Sequence, residues 1–161
     1  MKKLRYYLAY GSNLSIDQME ARCPGAKIEG LATLEDHRLV FRGSATGAHL
    51  TVEPCPGASV PCGVWSLTPA DEAALDRYEG VPHYYQKATI RVEIRSESMW
   101  DDRIDADALV YIMQDGQPLG LPTQEYLQTV GAGYMDFGFD FDPLEDALSY
   151  SRTLCGQKEV I

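Results

Sequence analysis

Apolar and polar positions along the 161-residue chain change period several times, and each change marks an element. Residues 4–10 form a strand-like run (Tyr6, Tyr7, Leu8, Ala9, Tyr10) that stops at Gly11-Ser12-Asn13. A helical pattern begins near Ser15, where Ser15 and Gln18 have capping-box spacing, and it ends before Pro24. Residues 26–43 are strand-like, with Leu39-Val40-Phe41 the most apolar part, and the small, polar stretch from Gly43 to His49 reads as a loop. His49-Leu50-Thr51-Val52 and Gly63-Val64-Trp65-Ser66-Leu67 predict two further strands, separated by a Pro- and Gly-rich loop.

Thr68-Pro69-Ala70-Asp71-Glu72 starts a helix well: a Thr cap, a Pro in the first turn and two acids at the positive end of the dipole. That helix runs to about Tyr78, with Ala74, Leu75 and Tyr78 on one predicted buried face. Residues 84–95 alternate as a long strand, residues 96–105 are polar and read as a mobile loop, and residues 108–113 predict a buried strand. Pro122-Thr123 opens a helix to about Tyr134, and Pro143 opens a last one from a cap at Asp142. Helices occur singly rather than in regular alternation with strands, which disfavours a doubly wound parallel sheet. The expected fold class is α+β: a mixed, mostly antiparallel, curved or closed sheet with helices outside it. No repeat, linker or low-complexity tract divides residues 1–161, so one domain is expected.

Net charge is −10, which argues against a nucleic-acid partner, since phosphate binding needs a basic face. An anionic substrate must then be held by local donors rather than by the global field. No run reaches the roughly 18 apolar residues of a membrane span. The apolar stretch after Met-Lys-Lys-Leu-Arg is too short for a signal peptide, so a cytoplasmic location is expected. The four cysteines (23, 55, 62, 155) form no CxxC pair and the three histidines are scattered, which disfavours a metal site and predicts four small buried hydrophobes. The acids Asp136, Asp140, Asp142, Glu145 and Asp146 lack calcium-loop spacing. Gly131-Ala132-Gly133 lacks the strand and third glycine of a dinucleotide fingerprint, and Gly43-Ser44-Ala45-Thr46-Gly47 lacks the spacing of a nucleophile elbow.

Two segments carry candidate chemistry. A glycine-bearing strand-to-helix turn at Gly11-Ser12-Asn13 points several backbone N–H groups one way, a cradle for a carboxylate or an oxyanion. Glu79 ends a helix with an acid where a base is preferred, and a local rule broken without local benefit marks a functional site. The dipole and any burial both raise its pKa, which suits a general base that later acts as an acid.

Together, Tyr10-Gly11-Ser12-Asn13-Leu14 and Leu75-Asp76-Arg77-Tyr78-Glu79-Gly80-Val81 resemble the gamma-glutamylcyclotransferase-like family. The likeness includes the strand at 63–67, a strand opening at Tyr85, and Pro122-Thr123-Gln124-Glu125-Tyr126 with Gly131-Ala132 after it, about residues 5–152 in all. Asn13 points to the classical branch rather than to the relatives that degrade glutathione. The resemblance implies a mixed barrel with the Tyr-Gly-Ser-Asn loop at its mouth, and release of 5-oxoproline from a small gamma-glutamyl compound without a cofactor, by a monomer or homodimer. It implies Glu79 as the catalytic acid/base, and Tyr10, Gly11, Ser12, Asn13, Leu14, Tyr85 and Tyr126 as substrate-binding. Tyr84 and Tyr85 alternate along a strand, so one of the two is expected in the pocket. Two other expectations share this barrel: a biosynthetic enzyme removing a gamma-glutamyl protecting group, and a non-catalytic module for small anions.

Overall fold

A computed structural model describes residues 4–96 and 102–156. Five strands close into a barrel in the order β1-β3-β2-β4-β5: β1 (Arg5–Ala9), β2 (Lys27–Arg42), β3 (His49–Leu67), β4 (Tyr85–Arg95) and β5 (Arg103–Met113). Every neighbouring pair is antiparallel except β1–β5, which is parallel with Tyr7 opposite Leu109. This is the mixed, closed arrangement expected from singly interspersed helices. Beside the barrel lie α1 (Ile16–Arg22), α2 (Pro69–Tyr78), α3 (Gln124–Phe137) and α4 (Asp142–Gly156). None of these helices is long and apolar enough to cross a membrane.

The core is lined by residues the pattern marks as apolar, with Leu8, Val40, Phe41, Leu50, Val64 and Leu109 fully or almost fully buried. The seam between β2 and β4 closes through one pair, Leu31 with Arg95. Beside it Gly30 has φ +152°, and a Cβ there would lie 2.2 Å from the Arg95 carbonyl oxygen, so only glycine lets the strands meet.

Three expectations about elements are corrected. The Pro- and Gly-rich stretch does not separate two strands, because β3 runs unbroken from His49 to Leu67. Its pairing with β2 shifts register between Glu35 and His37, so the residues between Pro54 and Ser59 bulge against Asp36. Asp36 takes φ +56° there, and its Oδ1 accepts the Gly57 N–H at 3.0 Å. A bulge tolerates the proline that a regular ladder would not.

The polar stretch 96–105 is in part strand. β5 starts at Arg103 and pairs back to Arg95, with Arg91–Asp107 and Arg103–Glu93 contacts of 3.3 Å across the exposed face. Opposite charges facing each other explain why a polar segment can be strand; residues 97–101 of the expected loop lie outside the described residues. Tyr78 is not on the buried face of α2. It is 60% exposed, whereas Leu75 is fully buried, and the Arg22 guanidinium lies 4.5 Å above its ring. Of the cysteines, Cys23 and Cys62 are buried but Cys55 and Cys155 only partly, and all four are free thiols.

Candidate active site

Asn13 sits at the centre of the barrel mouth because three elements converge on it. β1 ends at Ala9, the chain turns at Gly11, and Ser12–Leu14 make one 3-10 turn before α1. Trp65 of β3 pins that turn by donating Nε1–H to the Asn13 carbonyl oxygen at 3.1 Å. From the other side α3 presses Gly133 against it; a Cβ on Gly133 would fall 2.5–2.6 Å from Leu14 and from the Ser15 nitrogen. The glycine that completes no nucleotide fingerprint therefore seats a helix on the turn. Ser15 caps α1 by accepting the Gln18 N–H at 3.3 Å. The Gln18 side chain does not close the expected capping box, but donates to Asn13 Oδ1 at 3.3 Å.

The Asn13 side chain is 3% exposed and fully occupied. Its Nδ2 donates to the Tyr7 hydroxyl at 2.9 Å and to Glu79 Oε1 at 3.1 Å. Its Oδ1 accepts from Gln18 and from an Arg22 guanidinium nitrogen at 2.9 Å. The amides of Gly11, Ser12 and Asn13 meet no acceptor among the described residues, as expected for the open N-terminal end of a helical turn.

Glu79 is the C-cap of α2, with its own N–H bonded to the Leu75 carbonyl at 2.8 Å. The opposite end of α2 follows every local rule: Thr68 and Asp71 form a complete capping box. Burial raises the Glu79 pKa to about 7, against the lowering effects of Arg22 and of the Asn13 hydrogen bond. Glu79 thus holds and releases a proton near neutrality.

Glu79, Asn13, Gly11 and Ser12 share a cavity of about 330 Å³ walled by tyrosines. Tyr85 donates its hydroxyl to the Leu50 carbonyl at 2.6 Å, and Tyr126 accepts the Leu50 N–H at 3.0 Å, so both bracket one residue of β3. Tyr126 still has its own O–H to donate into the cavity. Tyr10 donates to the Tyr111 carbonyl oxygen, and the Tyr111 hydroxyl donates to Asp76 at 2.7 Å. Burial pushes the phenols of Tyr10, Tyr85 and Tyr126 above their ordinary range, so all three stay neutral donors. His49 lies 3.0 Å from the Tyr84 hydroxyl, and burial lowers its pKa. Among the described residues no three His, Cys, Asp or Glu side chains converge as metal ligands.

Tyr10, Gly11, Ser12, Asn13, Glu79, Tyr85 and Tyr126 all line this cavity. Leu14 does not; it is fully buried against Gly133. Tyr84 and Tyr85 both line it, with ring centroids 5.1 Å apart and planes near perpendicular. Strand alternation does not govern the pair because β4 begins only at Tyr85. Tyr7, Arg22, His49 and Tyr111 also line the cavity without a sequence signal for a site role, and Gln18 does so although its spacing reads only as a capping box. Helical spacing places Gln18 and Arg22 on one face of α1, the one local signal that links the two.

The family described as gamma-glutamyl cyclotransferase, AIG2-like, matches residues 7–128. The chain is 35% identical to a bovine gamma-glutamylcyclotransferase over 82 residues, 47% of this chain and 44% of that one, so the match spans less than half of the relative. A mouse gamma-glutamylcyclotransferase is 26% identical over 139 residues, 82% of this chain and 71% of that one. A solved gamma-glutamyl cyclotransferase superposes with a TM-score of 0.74 at 24% identity, covering 90% of this chain and 86% of that one. The crystal structure of an uncharacterized human protein superposes with a TM-score of 0.73 at 25% identity, covering 91% and 87%.

Proposed function

From the premise that this chain belongs to the gamma-glutamyl cyclotransferase, AIG2-like family, we propose that it releases 5-oxoproline from a small gamma-glutamyl amide, with Glu79 as the general acid/base. The observation that carries the reading is a carboxyl hydrogen-bonded by Asn13 in a polar cavity that the free amides of Gly11, Ser12 and Asn13 also line, with burial raising its pKa to about 7. A group poised near the working pH serves best when the same atom must take up a proton and return it.

The Glu79 carboxylate takes a proton from the substrate's alpha-amine. The freed nitrogen attacks the gamma-carbonyl carbon, forming the ring C–N bond and moving the carbonyl electron pair onto oxygen. Glu79 then protonates the departing amine as the old C–N bond breaks and the carbonyl reforms. Nothing is oxidised or reduced, and no co-reactant is consumed. Ring closure is intramolecular, so holding the substrate folded is much of the task, and tyrosine walls around a small cavity suit it. The amides of Gly11, Ser12 and Asn13 stabilise either the alpha-carboxylate or the developing oxyanion.

The test is 5-oxoproline release from a panel of gamma-glutamyl dipeptides and gamma-glutamyl amines by wild type and Glu79→Gln. Release by wild type alone supports the reading. Equal release by both removes Glu79 from the chemistry, and no release across the panel favours a small-anion binding module.

A further inference from the structure

We propose that Arg22, assisted by Gln18, is a positioning residue that acts on Glu79 through Asn13, by fixing which end of the Asn13 amide faces the carboxylate. The inference rests on the cyclotransferase reading for its kinetic consequences, but its geometry is independent of any substrate.

A primary amide has two ends of nearly equal size and opposite polarity. Rotating the Asn13 amide by half a turn would set Oδ1 against Glu79 Oε1, two acceptors with no proton between them whenever Glu79 is ionised. Tyr7 does not prevent this, because its hydroxyl serves as donor or acceptor. Arg22 does: a guanidinium has donors only, and it reaches Oδ1 at 2.9 Å, while Gln18, itself a reversible amide, adds a second donor at 3.3 Å once Oδ1 is fixed. With Oδ1 doubly occupied, Nδ2 has one direction left, toward Glu79 and Tyr7.

Arg22 is itself held for the task. It is the last residue of α1, and its guanidinium lies over the ring of Tyr78, the residue before Glu79. The exposed tyrosine at the end of α2, unexplained by core packing, is the platform that keeps the lock beside its target. Arg22 makes no direct hydrogen bond to Glu79 among the described contacts, so its influence passes through the amide and through space.

The test is a double-mutant cycle on 5-oxoproline release with Arg22→Met and Asn13→Ala. Arg22→Met should lower kcat by about tenfold to a hundredfold, the scale of one hydrogen bond to a charged group, with KM unchanged. In the Asn13→Ala background the same substitution should cost no more than about twofold when kcat is taken from the plateau of the pH profile, where the through-space effect of the Arg22 charge on the Glu79 pKa drops out. Arg22→Lys, which still donates to Oδ1, should recover part of kcat. An equal loss in both backgrounds, or a loss that falls on KM, would overturn the proposal by making Arg22 a substrate contact. An activity-independent arm follows the side-chain amide resonances of 15N-labelled protein through the Glu79 titration. In wild type the Asn13 Nδ2 signals should shift modestly with that titration, and in Arg22→Met they should shift more, because the unlocked amide turns its oxygen to Glu79 once the carboxyl is protonated. If they track it equally in both proteins, the lock is refuted, whether or not any gamma-glutamyl compound is turned over.

Discussion

Two glutamates, one at the barrel mouth and one under α4, share a residue type and partial burial but have opposite proton affinities. Glu53 of β3 lies among guanidinium groups: Oε1 accepts from Arg38 at 2.7 and 3.1 Å, and Oε2 from Arg42 at 3.2 Å. Burial alone would raise its pKa, but these hydrogen bonds outweigh burial and hold it below the usual carboxylate range. Arg38 also stacks 4.6 Å over Tyr150, so the cluster clasps α4 to the barrel. Glu79 has a cation nearby as well, but Arg22 spends its hydrogen bond on Asn13. The carboxylate receives one neutral amide donor, and burial prevails. A cation bonded directly to a carboxylate makes a clasp, whereas a cation held one residue away leaves a carboxyl whose pKa burial can raise.

The contrast breaks most severely when the mouth is deformed and the clasp left alone. Gly133→Ala puts a methyl into the backbone of Leu14 and Ser15. It should cost about 3 kcal/mol of stability in denaturant titration, as overpacking does, and displace Asn13 enough to depress 5-oxoproline release.

A smaller effect separates the two acids by pH. The folded pKa of Glu79, about 7, lies above its unfolded value near 4.5. Its favourable contribution is therefore complete below pH 4.5 and lost as pH rises through 7. Between pH 4.5 and 8, Glu79→Gln should gain about 2 kcal/mol on wild type, a discounted figure for a group in partial contact with water. Glu53 has the opposite sign: its contribution is present above the unfolded carboxylate pKa and lost as pH falls through the lower folded value. Glu53→Gln should cost about 1 kcal/mol at pH 7 and progressively less toward acid, with kcat unaffected. Parallel pH–stability curves for the two variants would remove the contrast.

What was legible in the chain was local. The strand-to-turn break at Gly11, the cap at Thr68 and the acid at the wrong end of α2 are each read within a few residues, and the first and the last mark out the mouth. The continuity of β3 was hidden because prolines and a glycine signal an interruption, whereas Asp36, far away in sequence, turns them into a bulge. Tyr78 looked like core by helical spacing, since nothing local shows that Arg22 waits above it. Gln18 and Arg22 lie near Asn13 in sequence, but the target of the lock does not: Asn13 and Glu79 lie 66 positions apart, and only closure of the barrel brings them together. Gly133 carried no signal at all, because a glycine inside a helix announces only a missing side chain, not what fills its place.

The most direct test of the central claim is the pH dependence of kcat/KM for 5-oxoproline release by wild type and Glu79→Gln, with the fold of each checked by thermal unfolding. The account predicts a wild-type limb that rises through a pKa near 7, and in the folded Gln variant a loss of about two to four orders of magnitude with that limb gone. A Glu79→Gln enzyme that keeps the wild-type rate and the same limb would contradict it.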